Sequence, residues 1–378
     1  MDQRMEFAVK ALWTDNFRAL CAEYGVSAKT GYKWRERFLQ YGLAGMAEQS
    51  RRPKSHADQL AEGVVCEMVR LKLAHRYWGP RIRELYLRHH GAAASESSFK
   101  RVLARAGLTE PRRRRVRAAE GGRLWSQRRG TAPNEVWTVD FKGWWYDPQG
   151  KRCEPLTVRD EYSRYVLALQ RLADARTETV RPCFERLFER YGLPGAIRSD
   201  NGTPFAHVKG LLGLSRLSAW WVVLGIDLER GRPGHPQDNG GHERMHRDIG
   251  AELEPRTGDQ AALDLWREEF NQERPHEALG MKCPAQVYQA SPRRYAGSPE
   301  DLDYPGMYSR KVTHDGTIKW QQVMFFVSTS LTGWSVGLKP LGDGRLEVWF
   351  GRLLLGWIDP GTESFQRAEI RPLEAGQA

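Results

Sequence analysis

The segment His235 to His246 reads HPQDNGGHERMH, and its last five residues set two histidines one helical turn apart around Glu243. That H-E-x-x-H spacing serves two kinds of chemistry. On a helix it can place His242 and His246 on a zinc ion with Glu243 as general base. Alternatively, Glu243 is one oxygen donor in a divalent-cation site whose other carboxylates come from distant parts of the chain. A zinc site of the extended metzincin type continues into Gly and a further His at set spacing; the run here, HERMHRDIGAE, does not. At 100° per residue Met245, Ile249 and Leu253 form one apolar stripe. Glu243 lies about 160° to 200° from Met245, beside Arg247, while His242 and His246 flank the apolar side as partly buried histidines do.

Two more carboxylates stand where sheets carry chemistry. Asp140 lies inside the apolar strand VWTVDF, and Asp200 ends AIRSD just before the Asn201-Gly202 turn. An uncompensated carboxylate in an apolar strand costs on the order of several kcal/mol, so each needs a cation, a neighbouring arginine or turn amides. Asp238, Asp160 and Asp227 rank below these two. Asp238 is placed to cap a helix, Asp160 sits in a turn, and Asp227 is expected on the opposite edge of the sheet.

The elements that must position these groups follow from periodicity. EVWTVDFKGWWYD reads as a strand, and EPLTVRDEYSRYVLALQRL as two strands around a polar turn. TETVRPCFERLFERY has helical spacing at Val180, Cys183, Phe184, Leu187 and Phe188 and is stopped by Gly192 and Pro194. The strand AIRSD, a helix through Ala219 to Leu224, a strand around Ile226 to Leu228 and the Glu243 helix follow. A last helix carries Leu263, Leu265, Trp266 and Phe270. Strands first and then alternating strands and helices predict a mixed sheet covered by helices. From Lys311 to Asp359, IKW, VMFFVS, WSVGLKPL, RLEVWF and LLLGWID alternate with turns, a spacing that predicts a small five-stranded β-barrel.

Charge divides the chain differently. Of 378 residues, the first 132 hold 27 Lys and Arg against 13 Asp and Glu, a formal +14, whereas the remainder carries −3. A basic front half points to a polyanion as its partner. Its sequence TDNFRALCAEYGVSAKTGYKWRERFLQY has a helix, a break at Gly25 and a second helix capped by Ser27. That is helix-turn-helix punctuation, with Lys29, Thr30, Lys33, Arg35 and Arg37 offered to DNA. RYWGPRIRELYLRHHG and SESSFKRVLARAGL repeat the cadence, with Ser95 or Ser97 as cap and Lys100, Arg101 and Arg105 on the basic helix. Residues 111–131 hold a basic linker, eight arginines between 111 and 130, in which Arg112, Arg113, Arg114 and Arg115 can track a DNA backbone or remain a solvated tether.

No apolar signal segment opens the sequence, and its longest apolar run, LSAWWVVLGI, is about half of what spans a bilayer. The expectation is a soluble cytosolic chain without membrane partners. Five scattered cysteines without a C-x-x-C pair predict free, mostly buried thiols.

VWTVDFKGWW, RSDNGTPF and GRPGHPQDNGGHERMHRDI together resemble the three acidic blocks of the DDE transposases and integrases, in particular a bacterial insertion-sequence transposase. NQERPHEALG resembles the R-P-H-x-A-L segment that follows the core in that family. The resemblance implies a multidomain fold: helix-turn-helix units at 1–50 and 60–110, a ribonuclease H-like α/β core with a helical extension at 132–290, and the barrel at 300–365. It implies Asp140, Asp200 and Glu243 as catalytic metal ligands for two Mg2+ ions, Asp140 bridging them, with Mn2+ able to substitute. Water would release a 3′-hydroxyl at the element end, which then joins target DNA without a covalent protein intermediate. Arg244 and Arg247 would contact phosphates, a salt bridge from Arg247 to Glu243 being the alternative. The implied partners are double-stranded DNA, terminal repeats and target alike, and further copies of the chain, a homodimer or larger, in the bacterial cytoplasm. The interval from Asp200 to Glu243 exceeds that of retroviral integrases, which places an extra loop around Lys209 to Ser215. A catalytically silent DNA-binding protein of the same fold, a domesticated transposase or repressor, is the alternative function. The barrel's partner, DNA or another subunit, stays open.

Overall fold

The structure is a computed structural model that describes residues 3–48, 59–75, 78–79, 81–109, 129–207, 210–231, 239–254, 256–297 and 301–368. The chain divides into two units, residues 1–62 and 63–378. In the first, α1 (Gln3–Lys10), α2 (Phe17–Glu23) and α3 (Ala28–Tyr41) bury Phe7, Ala11, Leu20 and Cys21. Sequence periodicity shows α2 and α3 but not α1, whose single aromatic, Phe7, is nevertheless the hub: Phe17, Tyr24 and Trp34 all meet it edge-on. Ser27 caps α3 as expected, accepting from Thr30 N at 3.2 Å. Gly31 sits mid-helix although glycine costs a helix about 1 kcal/mol, because a Cβ there would stand 2.6 Å from Cys21 Sγ.

The second unit begins with α4 (Glu62–Ala74), α5 (Arg81–His90) and α6 (Glu96–Arg105), which bury Met68, Leu71, Ile82, Leu85, Phe99 and Leu103. Of the two candidate caps, Ser95 accepts from Ser98 N. The central elements run β1 (Val136–Phe141), β2 (Trp145–Tyr146), β3 (Arg152–Cys153), β4 (Pro155–Asp160), β5 (Val166–Arg171), α7 (Thr177–Tyr191), β6 (Ala196–Ser199), α8 (Arg216–Val223), β7 (Asp227–Arg230), α9 (Gly240–Glu252) and α10 (Gln260–Gln272). The sheet order is β5-β4-β1-β6-β7, antiparallel between β1, β4 and β5 and parallel between β1, β6 and β7, which is the mixed sheet expected.

One face of the sheet packs Trp137, Val139, Leu156 and Val158 against Phe184 and Phe188 of α7 and Trp220 and Trp221 of α8. The other packs Val166 and Leu169 against Met245, Ile249 and Leu253 of α9 and Leu263, Trp266 and Phe270 of α10, so the apolar stripe of the Glu243 helix is the one its periodicity gives. Leu265 is exposed instead, since two positions from Leu263 is the far side of a helix. Gly192 ends α7 at φ +77°, and a Cβ there would stand 2.7 Å from Ser291 O. Edge strand β5 is blunted by side-chain amides: Asn271 accepts from Val166 N and donates to Val166 O at 2.8 and 2.9 Å, and Gln260 does the same for Arg171 N and Leu169 O.

The C-terminal region departs from expectation. β8 (Tyr308–Lys311), β9 (Thr317–Trp320), β10 (Val323–Phe326), β11 (Ser335–Pro340), β12 (Leu346–Phe350), β13 (Leu353–Asp359) and β14 (Ser364–Arg367) form an open five-stranded antiparallel sheet, β14-β13-β12-β11-β8, and a separate β9–β10 hairpin. Among the described residues no ladder joins β8 to β14, so no closed barrel is present. Two of the five apolar runs pair only with each other, and the polar runs YSRK and SFQR supply the edges. Ile318 and Phe325 of the hairpin cover Val336, Leu338 and Val348, burying by packing the face a barrel would bury by closure. From Gly210 onward the expected extra loop is a tight turn whose Leu211 and Leu214 join this same core.

All five cysteines are free, and all but Cys66 are buried. No helix among the described residues is long and apolar enough to cross a membrane. Arg274, of the NQERPHEALG segment, is 1% exposed, bonds Asp248 Oδ2 at 3.1 Å and Glu252, and lies against the rings of Trp78, Trp266 and Phe270. Arg274→Ala leaves two carboxylates without their partner and is expected to lower stability by about 3–5 kcal/mol in urea denaturation. A loss under about 1 kcal/mol would show that this arginine does not join the helices.

Candidate active site

Register brings the first two carboxylates together. β1 and β6 pair Val136 with Ala196, Trp137 with Ile197 and Thr138 with Arg198. Continued two positions, the same offset sets Asp140 beside Asp200, so their spacing in sequence equals the offset between their strands. Side chains alternate along a strand, which puts Asp140 on the face that carries Thr138.

α9 lies against that face through its two histidines. His242 is fully buried, with Nδ1 2.8 Å from Thr138 Oγ1 and Nε2 2.6 Å from Thr157 Oγ1. His246 Nε2 is 2.8 Å from the same Thr157 oxygen, which donates to Asp140 O at 2.7 Å. A hydroxyl has one proton and two lone pairs, so with that proton on the Asp140 carbonyl, Thr157 accepts from both rings. Low basicity, rather than this bonding, keeps both imidazoles neutral. Burial, with Lys142 and Arg159 nearby, holds His246 down to about 3, and burial with His246 and Arg159 holds His242 well below its usual range. The zinc reading fails on these contacts, because both nitrogens of His242 and one of His246 are engaged by the sheet.

The lock sets Glu243, half-buried, near Asp140. Burial, Asp200 and Glu243, in that order of effect, push the Asp140 carboxyl up to about 7 against a Phe141 backbone bond that favours its charge. His246 Nδ1 stands 3.8 Å from Asp140 Oδ2. Asp200 is exposed and accepts from Gly202 N at 3.1 Å, and Asn201 donates to Gly231 O, tying the turn to the end of β7. Among the described residues no three His, Cys, Asp or Glu stand close enough to share a single ion.

The lower-ranked acids are engaged elsewhere. Asp160 is fully buried and accepts from Asn134 N, Ser163 N and Ser163 Oγ, and Asp227 on edge strand β7 pairs with Arg352. Asp238 lies outside the described residues. Sequence reasoning missed four neighbours of the trio. Thr138 and Thr157 hold the histidines. Lys142, two positions after Asp140, pairs with Glu254 at 3.3 Å. Arg230 is half-buried near Asp200 and donates to Gly213 O at 3.1 Å. The β1–β4 pairing that sets Thr138 and Thr157 under one helix has no signature in the sequence.

The basic residues are placed as follows. On α3, Lys29 and Lys33 are exposed, Thr30 Oγ1 lies 2.9 Å from Ser27 Oγ within the cap, Arg35 lies over the Phe17 ring, and Arg37 is half-buried. Lys100, Arg101 and Arg105 line an exposed face of α6, where Lys100 pairs with Glu96 and Arg101 with Ser98. Arg244 and Arg247 are exposed on α9, and among the described residues Arg247 forms no ion pair with Glu243. Arg112, Arg113, Arg114 and Arg115 lie outside the described residues.

Residues 130–236 and 224–284 match family models described as integrase core domains, residues 30–103 a homeodomain-like domain and residues 4–54 a helix-turn-helix domain. An uncharacterized protein of insertion element IS407 from Burkholderia multivorans is 25% identical over 68% of this chain and 91% of its own length. Its counterpart in insertion element IS476 from Xanthomonas euvesicatoria is 26% identical over 70% and 76%. Among solved structures, the HTLV-2 integrase catalytic core domain in complex with magnesium matches 43% of this chain and all of its own, at 18% identity and a TM-score of 0.32. The chain thus carries helix-turn-helix domains ahead of an integrase core domain, and it is similar to insertion-element proteins over some two thirds of its length.

Proposed function

We propose that this protein is a DNA transposase that binds the terminal inverted repeats of a mobile element, cleaves them by metal-dependent hydrolysis and joins the 3′-hydroxyl ends to target DNA. The observation that carries the reading is the convergence on Asp140 of the charges of Asp200 and Glu243. The donor set fits divalent cations, since all three groups are carboxylates and Asp140 bears repulsion from two neighbours that a cation would relieve. Asp140 would be common to two sites, shared with Asp200 on one side and Glu243 on the other, an arrangement that needs no single cluster of three.

Bound Mg2+ supplies a nucleophile near neutral pH and charge stabilisation at the phosphorus. The chain's own part is positional. β1 and β6 hold two carboxylates side by side, and Thr138 and Thr157 fix α9, and with it Glu243, through the neutral histidines. Arg247, exposed on the same helix, is set to bind a phosphate flanking the scissile bond. Lys29 and Lys33 of α3, and Lys100, Arg101 and Arg105 of α6, provide contacts to repeat DNA. Bringing two element ends together calls for at least two copies of the chain.

Asp140→Asn, Asp200→Asn and Glu243→Gln are each expected to lower Mg2+-dependent nicking of a terminal-repeat duplex about a thousandfold or more while leaving DNA binding intact. Nicking that survives Asp140→Asn would remove that residue from the site, and wild-type protein that binds the duplex but never nicks it would be the silent DNA-binding protein instead. Lys29→Ala and Lys33→Ala should each reduce the slope of log affinity against log salt by about 1 in binding titrations, and an unchanged slope would take α3 off the phosphates. Thr157→Val strips the buried His242 ring and the half-buried His246 ring of an acceptor and should cost about 2–4 kcal/mol in denaturant unfolding. A loss under about 0.5 kcal/mol would show that α9 is held by other contacts.

A further inference from the structure

Beyond the carboxylates, the start of α9 borders a cavity of about 400 Å3 between α5, the β4–β5 turn and the segment after α10. Four arginines line it, each from a different place: Arg81 opens α5, Arg159 comes from β4, Arg164 from the turn, and Arg244 from α9. Arg81 is 6% and Arg159 3% exposed. The Nε of each is buried without a hydrogen-bond partner, as is His276 Nε2 in the same wall.

Burial alone does not explain these groups. Elsewhere in the chain, buried arginines are matched by carboxylates: Arg198 lies between Glu161 and Glu229, and Arg274 between Asp248 and Glu252. Among the described residues none of the four cavity arginines forms an ion pair. One terminal nitrogen of Arg159 donates to Gly241 O at 2.6 Å, and Glu161 and Asp160 act on its charge without pairing with it. Two acids reach the wall, Asp248, already bonded to Arg274, and the exposed Glu277. Burial and the neighbouring Arg164 hold Arg159 down to about 9, and burial lowers Arg81 and Arg164 as well. Unpaired buried guanidinium groups are costly, and a fold retains them where an anion arrives to pair them.

Shape narrows the anion. Guanidinium forks match the oxygens of a phosphate two at a time, and the first backbone amides of a 13-residue helix add positive potential at the same wall. Gly241 permits the arrangement, since a Cβ there would stand 2.5 Å from an Arg159 terminal nitrogen. We propose that this cavity is a phosphate-binding site, distinct from the Asp140, Asp200 and Glu243 trio, in which Arg81, Arg159 and Arg164 grip one phosphate group and Arg244 guards the mouth. The phosphate belongs either to the backbone of bound DNA or to a free phosphate or nucleotide.

The test titrates inorganic phosphate into the full chain, without DNA or metal, against chloride of equal ionic strength, by calorimetry and thermal unfolding. The expected result is saturable binding at one site with a rise in melting temperature, and binding at least fivefold weaker in Arg81→Met. That variant removes an unpaired buried charge and keeps the aliphatic stem, so it should fold; Arg164→Met, at a half-buried position, serves the same purpose if it does not. No saturable binding by the wild type, or equal binding by a folded variant, overturns the proposal. A second arm repeats the titration with terminal-repeat duplex at saturation. Phosphate excluded by the duplex assigns the site to a DNA backbone phosphate, and phosphate bound alongside it assigns the site to the free anion. Because the first arm contains no metal and no DNA, its outcome is independent of whether the carboxylates cleave DNA.

Discussion

A helix that must hold a carboxylate against two others has to be anchored by something stronger than its own apolar stripe, because like charges at close range push the elements that bear them apart. α9 is anchored through the Thr138 and Thr157 hydroxyls, which engage His242 and His246 inside the protein. Within the protein the imidazoles stay neutral. Burial and the cations Lys142 and Arg159 keep them so. The same threonine that receives both rings donates to the carbonyl of Asp140, so the strand that carries the first carboxylate and the helix that carries the third are joined through one oxygen atom.

Everything around this contact reinforces it. The stripe Met245, Ile249 and Leu253 buries against β5 and α10, Asn271 and Gln260 of α10 close the exposed edge of β5, and Arg274 ties α9 to the segment beyond α10 through Asp248 and Glu252. On the far face, aromatic packing of α7 and α8 holds β1 and β6 in the register that sets Asp140 beside Asp200. The rigid surround thus holds Asp200 and Glu243 near a buried Asp140 carboxyl, and a divalent cation is the group that would favour its charged form.

Much of this was legible in the sequence for specific reasons. An Asp in an apolar strand stands out because it breaks a local rule, an Asp before an Asn-Gly turn because it marks the end of a strand, and the stripe of α9 follows from its period alone. The spacing of Asp140 and Asp200 carried the strand register without announcing it, since parallel pairing is set by α7 and cannot be read from either strand. Three features stayed hidden. α1 has too few apolar residues to show a period, and its worth lies in one ring meeting three others. The β8 and β14 edges are polar, so counting apolar runs gave five strands and a barrel where seven strands form a sheet and a hairpin. The four arginines of the cavity come from four elements, and no local pattern links them.

The central claim is that Asp140, Asp200 and Glu243 form a divalent-cation site while His242 and His246 serve the fold. Anomalous diffraction from crystals of the full chain grown with Mn2+ tests it most directly. The account predicts manganese density beside the Asp140 carboxylate, shared with Asp200 or Glu243, and none on the imidazoles. Density on His242 and His246, or an Asp140 carboxylate without an ion at saturating Mn2+, would contradict it.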